Sequence, residues 1–292
     1  MKTVDYFIFG APKCGTTAIA STISLNPSVV LSSRKEPHHF STDFLYLRPS
    51  LPSNEDYLST YFPQEKALGD VWGDASVWHL FSTVAAAKVR AFNPNARIIV
   101  ILRDPAKAAY SLHQMRRAQQ HEPVRNFVEA WKMSQVRFDR EGFDGFTDQV
   151  GLDPRLMAYR HAYTLHPQLT RLYETFPADQ ILVLRHKDLL QDGPATLKMV
   201  NEFIGGEKFD FPSPQKINSN LYMRDSFLVD LLQTKFVRNT VRDFKALFKI
   251  KSLGIGKPTV KMTAADMEIV RRDLASDVQA VKRDFGISLL DS

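Results

Sequence analysis

Short apolar runs alternate with segments of helical spacing along most of the chain. The clearest run is Arg97–Leu102, which is continuous and β-branched, as an interior parallel strand should be. Strands that alternate with helices predict an α/β fold, with a central parallel sheet flanked by helices on both faces. The predicted strands cover residues 4–9, 29–31, 67–72, 97–102 and 180–184. The predicted helices cover residues 16–25, 77–92, 155–176, 194–204 and 263–285, and residues 49–63 are predicted to be loop-rich.

Helix boundary signals support several of these elements. Asp104-Pro105 supplies an N-cap and a proline for the first helical position, so a helix should begin directly after the strand 97–102. Thr263 should begin the last helix and Gly286 should end it. There is no internal repeat and no low-complexity linker, which favours one domain over residues 1–292. Residues 207–260 are its least regular part and are expected to cover the acceptor and cofactor.

Composition narrows the class of protein. Hydrophobic residues make up 44% of the chain and charged residues 24%, which excludes a disordered or fibrous protein. The one cysteine cannot form an internal disulfide and excludes a cysteine-rich metal site. No run of 18 apolar residues predicts a transmembrane helix, and the N-terminus does not resemble a signal peptide. These features together predict a cytoplasmic protein.

The net charge of +6 is concentrated in residues 224–261, which hold nine Lys and Arg against three Asp. Such a stretch is most simply a solvated helical face. Contact with an acidic substrate, or peripheral contact with a membrane, stays open as an alternative. No nucleic-acid-reading motif accompanies the stretch, so nucleic acid is not an expected partner.

A glycine-bounded loop follows the first predicted strand and opens the first predicted helix. Residues 10–17, Gly-Ala-Pro-Lys-Cys-Gly-Thr-Thr, keep the glycine spacing of a nucleotide P-loop. The backbone N–H groups of such a loop, together with a helix N-terminus, form a cradle for an anion. Thr16 stands where a P-loop NTPase has lysine, and the loop lysine comes earlier, at Lys13. The pattern predicts phosphate binding with a displaced γ-phosphate contact, against the alternative of an ordinary turn between strand and helix.

Arg103 and Ser111 form a second candidate anion site. Arg103 follows directly on a predicted strand, so its guanidinium should emerge at the carboxyl edge of the sheet, where open α/β sheets bind ligands. Ser111 lies seven residues after Asp104 and should share a helix face with that cap. A guanidinium and a hydroxyl that converge there suit a phosphate dianion. The alternative is a surface arginine at a helix start.

Four segments of the chain, in order, resemble sulfotransferases that use 3′-phosphoadenosine 5′-phosphosulfate (PAPS). The segments resemble the 5′-phosphosulfate loop (residues 12–17), the K-E-P-H-x-F segment of carbohydrate-type members (34–40), the 3′-phosphate element (103–105 with Ser111), and a late strand with an E-D-L-like sequel (179–189). The resemblance extends from residue 4 to about residue 290 and is weakest through 41–66 and 207–260.

The resemblance implies PAPS as co-substrate, with no metal ion, and a set of binding residues. The implied cofactor-binding residues are Lys13, Cys14, Gly15, Thr16, Thr17, Arg103 and Ser111. Cys14 also allows a reactive thiol as an alternative, because a helix N-terminus lowers the pKa of a neighbouring thiol.

The implied catalytic residues are Glu36, Lys13 and His38. Glu36 would take the proton of the acceptor, and Lys13 would neutralise charge on the oxygen that leaves. His38 matches a family histidine and would orient Glu36 or the acceptor. Asp74 is the competing base; it lies in Gly-Asp-Ala-Ser, which is similar to the family segment G-E-[KA]-[ST].

The predicted function is transfer of a sulfuryl group from PAPS to an acceptor hydroxyl by in-line displacement, with release of adenosine 3′,5′-bisphosphate. The expected acceptor is a glycan, a glycolipid or a small natural product. A P-loop kinase is the alternative enzyme, but it would carry lysine at position 16. A nucleotide-binding regulator without catalysis is the other alternative, and the presence of both Lys13 and Glu36 argues against it.

Overall fold

The computed structural model describes residues 3–44, 51–62, 65–140, 152–213, 222–223, 255–256 and 262–290. At its centre lie five parallel strands: β1 (Tyr6–Gly10), β2 (Val29–Leu31), β3 (Val71–Asp74), β4 (Arg97–Leu102) and β5 (Ile181–Arg185). Their order in the sheet is β2-β3-β1-β4-β5, so β1 lies between β3 and β4 and every one of its residues is buried. The predicted parallel α/β sheet is confirmed.

Helices cover both faces of this sheet. They are α1 (Thr16–Ile23), α2 (Asn54–Tyr61), α3 (Ala85–Phe92), α4 (Pro105–Ala118), α5 (Phe127–Lys132), α6 (Ser134–Asp139), α7 (Tyr159–Ala162), α8 (His166–Thr175), α9 (His186–Gln191), α10 (Gly193–Ile204), α11 (Ala264–Asp273) and α12 (Ala275–Phe285). Three short 3-10 turns lie at Val77–His79, Pro154–Met157 and Ala178–Gln180. Two-residue strands β6 (Tyr222–Met223) and β7 (Ile255–Gly256) pair antiparallel. Helix α1 contacts α10, and α3 contacts α8.

The predicted helix boundaries hold where a specific cap was read from the sequence. The Asp104 carboxylate accepts hydrogen bonds from the backbone N–H groups of Ala106 (3.0 Å) and Lys107 (3.3 Å), and α4 begins at Pro105. Thr263 forms a reciprocal capping box with Asp266 at the start of α11. Gly286 adopts a left-handed conformation (φ 70°) at the end of α12. These short-range signals are strong because each satisfies backbone groups that a helix end leaves free.

Three long predicted helices are interrupted, and the prediction of unbroken helices there is wrong. Residues 77–92 divide because the Ser82 hydroxyl accepts from the N–H groups of Val84 and Ala85 and starts α3 anew. Residues 155–176 divide because Pro167 occupies the first turn of α8, and proline is not tolerated in a helix interior. The last helix breaks at Leu274. The loop-rich prediction for 49–63 missed α2, which begins after the N-cap Ser53.

Contacts from α11 and α12 tie the C-terminal segment to the body of the fold. Arg271 donates to the Asp104 carboxylate (2.6 Å), and the Trp131 indole N–H donates to Asp273 (3.0 Å). The Asp277 carboxylate accepts from the N–H groups of Leu165 (2.8 Å) and His166 (2.9 Å) and so caps α8 from another helix. These contacts support the one-domain prediction for 1–292, which otherwise remains a prediction.

Two sequence predictions concern surfaces and membranes. Within the described ranges, no helix combines the length and the apolar character needed to cross a bilayer. The basic stretch 224–261, apart from 255–256, lies outside the described residues, and so does most of 207–260. Peripheral membrane contact and a cytoplasmic location therefore stay predictions.

Replacement of Asp277 tests how much the contact between α12 and the start of α8 contributes to stability. We expect Asp277→Ala to lower the free energy of unfolding by about 1 to 2 kcal/mol, because two N–H groups at the start of α8 lose their acceptor. Urea denaturation measures this change. Exposed Glu268 on α11 offers the control, and Glu268→Ala should stay within about 0.5 kcal/mol of the parent protein. One cooperative transition fits a single domain, whereas two resolved transitions would contradict it.

Candidate active site

The glycine-bounded loop joins β1 to α1 at the carboxyl end of the sheet. Gly10 adopts φ 134°, and a Cβ there would lie 2.3 Å from the carbonyl oxygen of Val77, so no other residue fits. Gly15 adopts φ 98° as the N-cap of α1, and its Cβ would lie 2.9 Å from the His186 ring. No side chain caps α1. The backbone N–H groups of its first turn, which starts with Thr16 and Thr17, therefore remain available to an anion.

Tyr163 and Arg103 fix the conformation of this loop. The Tyr163 hydroxyl lies 2.9 Å from the Pro12 carbonyl oxygen and 3.2 Å from that of Ala108, which joins the loop to α4. Arg103 donates to the Lys13 carbonyl oxygen (3.4 Å). Tyr163 was not predicted from the sequence, because only the tertiary structure brings α7 and its following residue against the loop.

Cys14 is buried within the loop, and its thiol lies 3.5 Å from the Pro12 carbonyl oxygen. Burial raises the pKa of the Cys14 thiol to about 12, although the Arg103 charge acts in the opposite direction. Burial of the thiol therefore argues against the alternative of a reactive thiolate. The role of Cys14 in the predicted cradle stays a prediction.

Arg103 lines a cleft of about 150 Å³ at the carboxyl edge of β4 and β5. The cleft also contains Lys107, Arg185, His186 and Lys187, and Ser288 and Leu289 line it from the C-terminal segment. Its one carboxylate, Asp104, already caps α4 and pairs with Arg271. Arg103, Lys107, Arg185 and Lys187 thus bring four positive charges to this space. Arg185 also pairs with Asp188 (2.7 Å), and the remaining excess of positive charge favours an anionic ligand.

Ser111 is half-buried, seven residues into α4, and it does not line this cleft. The structure therefore confirms the helix position of Ser111 but gives no contact that brings it to Arg103. Their convergence on one phosphate remains a prediction.

Glu36 and His38 form a hydrogen-bonded pair in the loop after β2. His38 Nε2 lies 3.3 Å from Glu36 Oε2, and Lys35 pairs with Glu36 Oε1. Burial acts to raise the pKa of Glu36, but the His38 hydrogen bond and the Lys35 charge outweigh it and lower that pKa to about 2. The side chain stays 29% exposed. Glu36 is thus an accessible carboxylate that is ionised at neutral pH.

Asp74 lies behind this pair and does not face solvent. Its side chain is 0% exposed, and its two oxygens accept from the hydroxyls of Tyr57 (2.7 Å) and Ser76 (2.6 Å). The Ser76 oxygen in turn accepts from the backbone N–H of His38 (2.9 Å). Burial raises the pKa of Asp74, while the Ser76 and Tyr57 hydrogen bonds oppose the rise. This geometry makes Asp74 a support for the His38 backbone, and its burial argues against the alternative of a competing base.

Lys13 stands between the loop and α4, with its Nζ 3.7 Å from the sulfur of Met115. Burial lowers the pKa of Lys13, and the charges of Arg103, Arg116 and Lys35 lower it further, while Glu36 acts in the opposite direction. Arg103 and Glu36 therefore lie close enough to Lys13 for their charges to change its pKa.

Backbone strain marks the same residues. Among the described residues, five other than glycine adopt positive φ, and three of them are Lys13 (62°), Glu36 (60°) and His38 (56°). Non-glycine residues rarely take this conformation, and such residues cluster at functional sites.

His39, the neighbour of His38, faces a different environment. Its ring stacks on Tyr57 with the ring centres 4.6 Å apart, whereas His38 contacts Glu36. Across the described ranges, no group of three or more His, Cys, Asp or Glu is placed to hold a metal ion, and metal independence stays a prediction.

Comparison with known proteins gives one family and a similar fold. The sequence model of the sulfotransferase domain family matches residues 3–224 of this chain. The chain is 27% identical over 209 residues to the bifunctional heparan sulfate N-deacetylase/N-sulfotransferase 2 of Bos taurus, covering 70% of this chain and 22% of that protein. It is 31% identical over 146 residues to the human carbohydrate sulfotransferase 15, covering 36% of this chain and 26% of that protein. The chain thus spans about a fifth to a quarter of the length of these curated relatives.

A solved structure shares the fold. A sulfotransferase from Alicyclobacillus acidocaldarius superposes with a TM-score of 0.63 at 22% identity, over 85% of this chain and 97% of that one. At this identity the similarity concerns the fold alone.

Acid titration of stability tests the Glu36 pairing. The pKa of Glu36 is lower in the folded protein (about 2) than its ordinary value of 4.5, so its ionised form stabilises the fold. That stabilisation is complete above pH 4.5 and is lost as the pH falls towards 2. Urea denaturation between about pH 5 and about pH 3 should show a shallower loss of stability for Glu36→Gln than for the parent protein. Exposed Glu268→Gln is the control, and equal slopes for all three proteins would show that Glu36 is not paired.

Proposed function

The chain belongs to the sulfotransferase family, and on this premise we propose that it transfers the sulfuryl group of PAPS to an acceptor hydroxyl. The reaction would proceed by one in-line displacement and release adenosine 3′,5′-bisphosphate. The observation that carries the proposal is the shared location of an anion cradle, Lys13 and the Glu36–His38 pair, which act on one another electrostatically.

The residues of the site suit PAPS as the bound group. The free N–H groups of α1 and the Lys13 ammonium would hold the 5′-phosphosulfate, which also fits a loop in which only glycine is tolerated at position 10. Arg103 and the cationic cleft around it would hold the rest of the anionic nucleotide, with Ser111 as the predicted further contact. When bound, PAPS supplies an activated sulfuryl group.

Glu36 would remove the proton of the acceptor hydroxyl. A carboxylate whose pKa is about 2 is a weak base while Lys35 and His38 both hold it. Lys35 is exposed, so an acceptor hydroxyl can take its place at Oε1. Loss of the ammonium contact raises the pKa of Glu36 and makes it a better base, while His38 keeps the other oxygen oriented. Lys13 would stabilise negative charge on the departing phosphate oxygen.

The acceptor class is drawn from the sequence and from the relatives. The bovine relative is named for heparan sulfate and the human one for carbohydrate, which supports a glycan among the predicted glycan, glycolipid and natural-product acceptors. Neither the kinase nor the regulator alternative has a comparable observation in its favour, since Thr16 stands at the kinase lysine position and Glu36 is accessible.

Nucleotide selectivity tests the role of Arg103. We expect adenosine 3′,5′-bisphosphate to bind at least about tenfold more tightly than AMP, because a charge-assisted contact contributes about 1.5 to 3 kcal/mol. Calorimetry with Arg103→Ala should show most of this difference lost. Exposed Arg272→Ala removes the same charge from α11 and should preserve it. Equal affinities of the parent protein for the two nucleotides would contradict the proposal.

Turnover separates the base from a binding residue. With an acceptor found by screening with radiolabelled PAPS, Glu36→Gln should lower kcat by roughly 10²- to 10⁴-fold, the usual contribution of a general base. Its affinity for adenosine 3′,5′-bisphosphate should stay within a few-fold of the parent value. Lys13→Ala should damage both binding and turnover, because one ammonium serves both.

Asp74→Asn is the matched comparison for this test. It replaces a neighbouring carboxyl group by an amide of the same shape, and we expect a smaller loss of kcat because Asp74 acts through Ser76 and the His38 backbone. If Asp74→Asn abolished turnover while Glu36→Gln remained active, Asp74 would be the base.

A further inference from the structure

Arg116 is a buried arginine on α4 that has no acidic partner within the described ranges. Its side chain is 6% exposed. One guanidinium nitrogen donates to the Gln119 side-chain oxygen (3.1 Å), the group lies 5.6 Å from the centre of the Trp78 ring, and Nε is buried without a hydrogen-bond partner. Buried charges are normally paired, so this guanidinium requires an explanation.

The carboxylates that act on Arg116 are already occupied. Glu122 accepts two hydrogen bonds from Arg137 (2.6 and 2.8 Å), one from the Tyr159 hydroxyl (2.7 Å) and one from the Val124 N–H (2.8 Å). These four donors fill its acceptor capacity. Glu36 is held by Lys35 and His38. Neither carboxylate can neutralise Arg116 without breaking its own pairing.

The position of Arg116 places it beside the transfer centre. The preceding residue, Met115, contacts the Lys13 ammonium, and Trp78 comes two residues after Ser76, which holds the His38 backbone. The pKa of Lys13 is lowered by burial and then by the charges of Arg103 and Arg116. Arg116 does not line the cationic cleft around Arg103, so its charge is additional to those assigned to the nucleotide.

We propose that Arg116 binds an anionic group that a substrate brings to the transfer centre. The oxygens of such a group would supply the acidic partner that the buried guanidinium does not have among the described residues. They belong either to the sulfuryl group of the donor or to an acid group on the acceptor, which would make an acidic glycan or an acidic natural product the preferred acceptor class. This inference rests on the proposed function of the same site.

Two binding measurements distinguish the sources of the anion. The test variant is Arg116→Met, which keeps most of the length of the side chain and removes its charge. The control variant is Arg160→Met, which removes the charge of an exposed arginine on α7. Calorimetry gives the affinities for adenosine 3′,5′-bisphosphate and for PAPS. Thermal shift gives the binding of inorganic sulfate to the PAPS-loaded protein, against chloride at equal ionic strength.

If the anion is the sulfuryl group, Arg116→Met should weaken PAPS binding by at least about tenfold and change binding of adenosine 3′,5′-bisphosphate by less than about twofold. If it belongs to the acceptor, both nucleotide affinities should hold, and sulfate binding to the PAPS-loaded protein should weaken by at least about tenfold. Unchanged affinities throughout, or equal weakening of both nucleotides, would overturn the inference. Failure of the parent protein to bind adenosine 3′,5′-bisphosphate would instead overturn the proposed function.

The melting temperature without ligand also distinguishes a binding role of Arg116 from a structural one. Loss of a structural arginine would lower the melting temperature, whereas loss of a binding arginine should not. Without ligand, Arg116→Met should melt at the same temperature as the parent protein or higher, because it removes an unpaired buried charge. A lower melting temperature without ligand would indicate a structural role and count against the inference. Should Arg116→Met fail to fold, Arg116→Lys keeps the charge but loses the two-pronged donor, and its anion affinity should still fall.

Discussion

The hydrogen bond from the His38 N–H to the Ser76 hydroxyl oxygen, 2.9 Å long and buried, is the contact on which the candidate site depends. It joins the loop after β2 to Ser76, two residues beyond β3, past the point where the pairing of these two neighbouring strands ends. Ser76 can hold that position because its own hydroxyl is directed to Asp74, whose other oxygen is bound by Tyr57. A chain of neutral and ionised groups in the core therefore sets the backbone from which Glu36 and His38 project.

The cost of this arrangement is an excess of positive charge. Lys13, Arg103 and Arg116 act on one another, and burial together with these charges lowers the pKa of Lys13. Glu36 is the accessible carboxylate that opposes them. Such a site is less stable when empty than a neutral core would be, and an anionic ligand would relieve the repulsion on binding. Binding strength and site strain thus have the same electrostatic origin.

The sequence predicts features that short-range physics determines. The β-branched run of β4 forms a buried strand at the predicted residues, Asp104 caps α4, and Gly10 and Gly15 occupy positions where a Cβ would clash. The positive φ of Glu36 and the roles of Tyr57, Tyr163 and Arg116 could not be predicted in this way. Each depends on a partner distant in sequence, such as the Pro12 carbonyl for Tyr163, and no local pattern signals it. The prediction of one helix over residues 77–92 was wrong for a related reason. The helix breaks at Ser82, whose hydroxyl also donates to Asp43, a residue distant in sequence.

The segment beyond the family match contributes to the cationic cleft around Arg103. The match ends at residue 224, yet Arg271 on α11 pairs with the carboxylate of Asp104, the residue next to Arg103. That carboxylate also caps α4, so it serves the start of the helix and Arg271 together. Arg271 thereby holds the capping carboxylate in place and adds a positive charge next to the cleft. The C-terminal helices are therefore part of the electrostatics of the site as well as of its packing, and Ser288 and Leu289 complete the same cleft.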